Sequence, residues 1–321
     1  MILFVAEHAN GKLKKSAFEL ATVAKELSGS MGMEAAGLVI GADAQALAGE
    51  LGGVVDTVYL AQDGALEDFR AEAWTTVVAE VAREKGAQVV LVSASRAGLS
   101  FGPRLALRLG APLLENVSRV AAEGGKLSGR RFSYLARVTE TVEAEGLPVV
   151  VSVTPNVYPP AAAGAGGTVQ EVRVQLADSD TRVKVGEKKA ASTGRVALEE
   201  ADVVITGGRG LGSPEAFDTL VEPLADALSA GIGATRAVVD AGWRPYAEQV
   251  GQTGKTVAPT LYIALGVSGA VQHLSGMNRS KVVVAVNKDA DAPIFKVADY
   301  SVVGDVNAVV PALQEALRDK G

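Results

Sequence analysis

Apolar residues along this chain alternate between short unbroken runs and stripes at helical spacing. The runs "MILFVA", "AAGLVI", "TVYLA" and "AQVVLVSA" predict strands. Between them, Ala17, Leu20, Ala21, Ala24 and Leu27 recur on one helical face, and further helices are expected near 44–51 and around 69–83. Strand–helix alternation of this kind implies a mainly parallel sheet with right-handed crossovers. After Pro112 the pattern changes to strands with little helix between them, among them "RFSYLARV" and "LPVVVSV".

"PPAAAGAGG", residues 159–167, cannot hold regular structure, yet "VQEVRVQL" beyond it alternates like a strand and is expected to complete the first domain. The polar, charged stretch "DSDTRVKVGEKKAAS" is the better linker, which places the boundary near Ala191 and gives domains 1–190 and 191–321. A second series follows, with strand candidates "DVVIT", "RAVVD", "LYIAL", "KVVVAV" and "YSVVG". Ser213, Pro214 and Glu215 form a helix start signal, followed by Phe217, Leu220, Val221, Leu224 and Leu228, with Pro223 expected to kink or split that helix. A last helix is expected from about Val306, carrying Val309, Val310, Leu313 and Leu317.

Composition narrows the chemistry. The 321 residues are 48% hydrophobic but only 5% aromatic, a mixture suited to parallel sheets covered by Ala-rich helices. A formal net charge of -6 argues against nonspecific nucleic-acid binding. With no cysteine, thiolate catalysis, thiolate zinc sites and thiolate iron–sulfur ligation are excluded, so redox chemistry requires a bound cofactor. The start "MILFVAEHANGKLKK" lacks the order of charge and apolar run found in a signal peptide, and no apolar run approaches the roughly 18 residues that cross a bilayer. A cytoplasmic bacterial location without membrane insertion is expected, or a mitochondrial matrix one if the chain is a processed form.

Three glycine-rich stretches invite chemical readings. "VGQTGKTVAP" contains the Gly-Lys-Thr of a phosphate loop, but the glycine needed five positions before that pair is Gln249, and Pro259 follows where a helix should begin. "GGRGLG" follows a strand as a dinucleotide fingerprint should, although its third glycine position is Ser213. "GVSGA" resembles a nucleophile elbow around Ser268, but Ala270 replaces the closing glycine and His273 is too near to serve as a distant triad base. More informative is where these residues cluster. Gly207 to Gly210, Gly266 to Gly269, Asn287 and Gly304-Asp305 all follow expected strands, where open parallel sheets bind ligands. Turn chemistry accounts for the glycines, but not for Arg209, Gln272, His273 and Asn287, which suit a large, anionic, heteroaromatic ligand.

The stretch "LYIALGVSGAVQHLSGMNRSKVVVAVNKDADAPIFKVADYSVVGD" resembles the large (alpha) subunit of electron-transfer flavoproteins. "GGRGLGSPEAF", "GATRAVVDAGW" and "QVGQTGKTVAP" match in the same order upstream, and the N-terminal "ILFVAEHANGKLKKSAFELATVAKEL" is also similar. The resemblance implies an α/β fold of two domains, each with a mainly parallel sheet, the C-terminal one a doubly wound, Rossmann-like FAD-binding domain. It also implies FAD as cofactor and a heterodimer with a smaller beta subunit, on which the N-terminal domain would serve as scaffold and docking surface. Members are electron carriers without substrate turnover of their own. They take electrons from acyl-CoA or other flavin dehydrogenases and pass them singly, through an anionic semiquinone, to a quinone oxidoreductase.

Carried over by motif, Arg209 would contact the cofactor, and Thr235 and Arg236 would follow, with Arg236 near the flavin ring. Thr235 stands where many members have serine. Val250, Gly251, Gln252 and Thr253 would line the isoalloxazine, with the Thr253 hydroxyl close to N5. Ser268, Gly269, Ala270, Val271, Gln272 and His273 would wrap the phosphates and reach flavin O2, while Asn287, Asp305 and Val306 would hold the adenosine end. A cation and a donor near N1–C2=O2 raise a flavin's one-electron potential, and Arg236 and His273 have the right types. Two other readings remain open at this point: an electron-bifurcating member using NADH, and a nucleotide-binding regulatory module with no redox role.

Overall fold

A computed structural model of the protein describes residues 1–134, 138–164, 166–186 and 196–318. The chain divides into two compact units, one of Met1–Ser133 with Val138–Lys188 and one built on Lys189–Gly321. The boundary expected near Ala191 lies outside the described residues.

The first unit runs β1 (Ile2–Ala6), a small hairpin of β2 (His8–Ala9) and β3 (Lys12–Leu13), α1 (Lys15–Met31), β4 (Ala35–Gly41), α2 (Gln45–Gly52), β5 (Thr57–Gln62), α3 (Ala71–Glu84), β6 (Val89–Ser93) and α4 (Arg96–Leu109). Then come β7 (Leu113–Glu123), β8 (Lys126–Ser133), β9 (Val138–Ala144), β10 (Val149–Val153) and β11 (Thr168–Val172). These strands form one nine-stranded sheet in the order β11-β5-β4-β1-β6-β10-β7-β8-β9. It is parallel from β11 to β7 and antiparallel through β8 and β9. Every residue of β1 is buried because both faces are covered. Ile2, Phe4 and Ala6 pack toward α1 and α2, while Leu3 and Val5 pack toward α3 and α4.

Of the expected strand "RFSYLARV", the first residues close β8 and Val138 opens β9, while residues 135–137 lie outside the described residues. Residues 159–164 and 166–167 carry no helix or strand, as their composition predicts, and β11 does join the first sheet beside β5. The stretch 96–109, which apolar periodicity leaves unassigned, forms α4. Gly98, Gly102 and Pro103 dilute its signal. Gly98 is there for close packing: a Cβ would sit 1.8 Å from the Ser93 carbonyl oxygen.

The second unit runs β12 (Val203–Gly207), α5 (Glu222–Ala227), β13 (Gly231–Ala234), α6 (Arg236–Asp240), β14 (Leu261–Leu265), α7 (Val271–Leu274), β15 (Val282–Asn287), β16 (Tyr300–Val303) and α8 (Val306–Arg318). All five strands are parallel, in the order β13-β12-β14-β15-β16. In chain order that is 2-1-3-4-5, a doubly wound sheet whose direction of winding reverses between β12 and β14. One face packs Ile205, Ile232, Ile263 and Val286 against Phe217, Leu224 and Val310, and the other packs Val204, Tyr262 and Ala285 against Val250, Met277 and Ile294. Helix α8 matches the expected stripe, with Val306 and Val310 buried.

One expectation needs correction. "RAVVD" is the helix α6, and the strand is the preceding "GIGA". The β-branched pair Val238-Val239 mimics strand composition, whereas Gly231 and Gly233 weaken the true strand's signal. A Cβ on Gly233 would lie 2.4 Å from Thr206 Oγ1 and 3.0 Å from Val250 Cγ2, so the strand needs glycine where the 250s segment packs over it. The helix after Ser213 is split, as Pro223 leads one to expect, with a π-helical turn over Phe217–Val221 leading into α5. Pro223 supplies no N–H and crowds the carbonyl one turn before it, which widens the helix there.

Gly98→Ala is expected to lower the stability of the first unit by about 3 kcal/mol, since its methyl group meets rigid backbone. Urea unfolding followed by the fluorescence of Trp74 measures it, and an unchanged midpoint contradicts the packing account.

Candidate functional site

The second unit holds a cleft of about 610 Å³ at the carboxyl ends of its strands, within the range of cofactor sites. It lies at the switch point, where the loops after β12 and β14 diverge. Those loops pack backbone to backbone. Gly208 N–H donates to Leu265 O (2.9 Å) and Gly210 N–H to Gly266 O (3.0 Å). A Cβ on Gly208 would lie 2.2 Å from Gly266 O, and one on Gly210 would lie 2.7 Å from Gly266 Cα. Gly266 itself has φ +61°, a left-handed turn that suits glycine.

The turn at Gly266 redirects the chain into the cleft. Among the described residues, none accepts a hydrogen bond from the amides of Val267, Ser268, Gly269, Ala270, Val271 or Gln272. Gly269, at φ +84°, bends this run, and a Cβ there would meet Ile294 N at 2.2 Å. Consecutive unspent amides around such a bend form a cradle for an anion. Asn287, buried at the end of β15, braces the loop by donating from Nδ2 to Val267 O (2.9 Å) and accepting from Asp289 N–H (3.0 Å).

Segment 249–253 also lines the cleft. Val250 N–H donates to Ala234 O (2.9 Å), Gln252 N–H to Gln272 O (2.8 Å) and Val257 N–H to Gly276 O (2.8 Å), which fastens the segment to β13 and α7. Gly251, at φ +142°, sits against Gly276, whose Cβ would lie 2.4 Å from Gly251 N. Gln249 Nε2 donates to Thr253 Oγ1 (3.0 Å), which leaves the Thr253 hydroxyl proton unspent. Upstream, Arg244 binds Glu248 through two nitrogens (2.7 and 2.9 Å) and Glu222 (2.9 Å), which raises its already high pKa.

Cations come from the ends of β13 and β12. Arg236 opens α6 directly after β13, so it lies at a carboxyl end after all; it is largely exposed and 3.3 Å from Asp240. Thr235 precedes it as the helix cap residue. Arg209 stacks over the Trp243 ring at 5.0 Å. His273 is buried, with Nδ1 3.1 Å from Val250 O and Nε2 2.9 Å from the Tyr262 hydroxyl, and burial pushes its pKa down to about 4. Below pH 6.5 the unfolded chain therefore binds this proton more readily, so His273's contribution to stability is lost as pH falls from 6.5 toward 4.

Twelve residues expected at the site line this one cleft: Arg209, Thr235, Arg236, Val250, Gly251, Gln252, Thr253, Ser268, Ala270, Gln272, His273 and Asn287. Gly269 and Val271 belong to the loop without lining it, and Asp305 and Val306 stand outside. Asp305 instead caps α8, accepting from the Asn307 amide at 2.8 Å, and that bond holds its carboxyl below the usual range. Gln249, Asp240 and Asp289 line the cleft and were not picked out by motif. Helical spacing offers a signal for Asp240, four residues after Arg236. Lys255 turns away to Glu199 (2.9 Å), so Gly-Lys-Thr makes no phosphate loop here.

The donor set fits a dinucleotide cofactor: an amide cradle for phosphates, a hydroxyl and two guanidinium groups, lining a cleft of about 610 Å³. The electron transfer flavoprotein domain profile matches residues 2–179, and that of the electron transfer flavoprotein FAD-binding domain matches residues 197–278. The chain is 39% identical to the electron transfer flavoprotein subunit alpha of Megasphaera elsdenii, covering 99% of this chain and 96% of that one. It is 41% identical to the subunit alpha of Mycobacterium tuberculosis (99% and 98% covered) and 36% to that of Bacillus subtilis (99% and 97%). No described helix is long and apolar enough to cross a membrane.

Lys255→Met is expected to leave FAD content within about twofold of wild type, because it removes only a partly exposed ion pair. Absorbance of the purified protein checks this, and loss of FAD would restore the phosphate-loop reading. Fold, cleft and similarity agree that the chain belongs to the electron transfer flavoprotein alpha-subunit family, FAD-binding electron carriers whose alpha subunits imply a beta-subunit partner.

Proposed function

We propose that this chain, paired with a beta subunit, carries electrons from flavin dehydrogenases such as acyl-CoA dehydrogenases to a quinone oxidoreductase, one at a time. FAD supplies the one-electron chemistry when bound. The observation that carries the reading is the run of unspent amides from Val267 to Gln272, beside a cleft that Arg236 also lines. The cradle binds the phosphates of the cofactor, which replace water on these amides. Val250 to Thr253 provide the wall for the ring, and the free Thr253 proton is the hydrogen-bond donor toward N5.

Arg236 adds positive charge beside the ring. Its partner Asp240 is as exposed as it is, so the ion pair is weak and the guanidinium remains available to a ligand. Asn287 holds the cradle loop, whereas Asp305 caps α8 outside the cleft lining. The described residues that line this cleft belong to the second unit, and the first unit is proposed as scaffold and docking surface for the beta subunit.

Arg236→Ala is expected to lower the first one-electron potential of bound FAD by roughly 30–60 mV while FAD is still retained. A dithionite titration of the heterodimer measures it. An unchanged potential removes Arg236 from this role, and a colourless preparation that takes up no FAD contradicts the electron-carrier reading.

A further inference from the structure

The cations in and around the cleft differ in what holds them. Arg236 lies 3.3 Å from the Asp240 carboxylate and Lys255 2.9 Å from Glu199. Arg244 sits over the Phe217 ring at 5.2 Å, but Glu248 and Glu222 take up its donors. Arg209 is held otherwise. Its guanidinium carbon stands 5.0 Å from the centre of the Trp243 ring, and among the described residues no carboxylate pairs with it. A carboxylate partner offsets the charge of a guanidinium and occupies its N–H donors. An aromatic face orients the same group and leaves both charge and donors available to a ligand.

The two partners come from different loops. Arg209 lies between Gly208 and Gly210, whose amides bond to Leu265 O and Gly266 O, so its backbone stands where the amide cradle begins. Trp243 follows α6, where Gly242, at φ +72°, turns the chain and the Trp243 N–H donates to Val238 O (3.1 Å). Its half-buried indole packs against the core that contains Phe217 and Leu224, which fixes the ring plane. Arg209 lines the cleft and Trp243 does not.

We propose that Trp243 is a positioning residue whose indole face holds the Arg209 guanidinium beside the amide cradle, with its charge and donors kept for the phosphates of a dinucleotide. The proposal rests on the reading of the cleft as the FAD site. Trp243 then acts on the ligand only through Arg209, and what matters at position 243 is an aromatic face, not apolar bulk.

The test is a double-mutant cycle on the FAD dissociation constant of the assembled heterodimer. Trp243→Leu is expected to weaken FAD binding about 3- to 10-fold, whereas Trp243→Phe, which keeps an aromatic face, stays within about 2-fold of wild type. Arg209→Gln weakens binding at least as much as Trp243→Leu, and adding Trp243→Leu to it costs less than about 1.5-fold more. Equal costs of Trp243→Leu with and without Arg209, or full affinity in a folded Trp243→Leu protein, overturn the proposal. The chain has two tryptophans, which allows a measurement that leaves Trp243 in place. With 5-fluorotryptophan incorporated in this chain and Trp74→Phe assigning the signals, Arg209→Gln is expected to shift the ¹⁹F resonance of Trp243 and not that of Trp74. An unmoved Trp243 signal overturns the stack. If the wild-type heterodimer takes up no FAD, the reading of the cleft fails and the proposal with it, whereas FAD uptake with additive costs sinks the proposal alone.

Discussion

The second unit depends on one close approach, that of the Gly208–Gly210 loop to Gly266. With no Cβ on either side, the two backbones come within hydrogen-bond distance, and Gly266 O is used up by Gly210 rather than by the turn that follows. The chain then bends at Gly266 and Gly269, and the next amides face open space instead of carbonyls. These glycines are required mainly for protein-to-protein contact. The anion cradle is a consequence of that contact, placed at the switch point by the strand order 2-1-3-4-5.

The 249–253 lining is fixed by a different kind of interaction. Segment 249–253 forms a turn closed by Gly251 N–H to Lys255 O and Lys255 N–H to Gln249 O, and it is tied to its surroundings through the Ala234 carbonyl, the Gln272 carbonyl and the His273 ring. Arg244 anchors its approach through two carboxylates. An isoalloxazine ring needs a rigid wall if its potential is to be set by a nearby hydroxyl and guanidinium, because mobile donors reorganise with each electron. In the proposed reading, hydrogen bonds to backbone would provide that rigidity without bringing further charge beside the ring.

How far the sequence discloses this depends on which force sets each element. Strands covered on both faces, such as β1, β6 and β10, read clearly because burial alone determines their composition. The α4 helix and the β13 strand do not, because Gly98 and Gly233 answer to a neighbouring backbone or side chain and not to local propensity. The same holds at the site. Positions at strand ends were legible by topology, and Arg209, Arg236 and His273 by motif, but Gln249 looked like a mere failure of the phosphate-loop pattern. Its use, a hydrogen bond to Thr253 four residues on, is visible only once the segment is folded. Asp305 shows the converse: a polar residue at a strand end can be fully explained by capping the helix that follows.

The central claim, that glycine-to-glycine packing builds the cofactor cradle, is tested most directly at Gly210, which has an ordinary backbone conformation and no cleft chemistry of its own. The measurement is FAD bound per purified heterodimer carrying Gly210→Ala, with far-UV circular dichroism as the check on folding. The account predicts FAD content below about a tenth of wild type with the helical signal retained, since a methyl group forces the two loops apart. Full FAD content in the folded variant would contradict it.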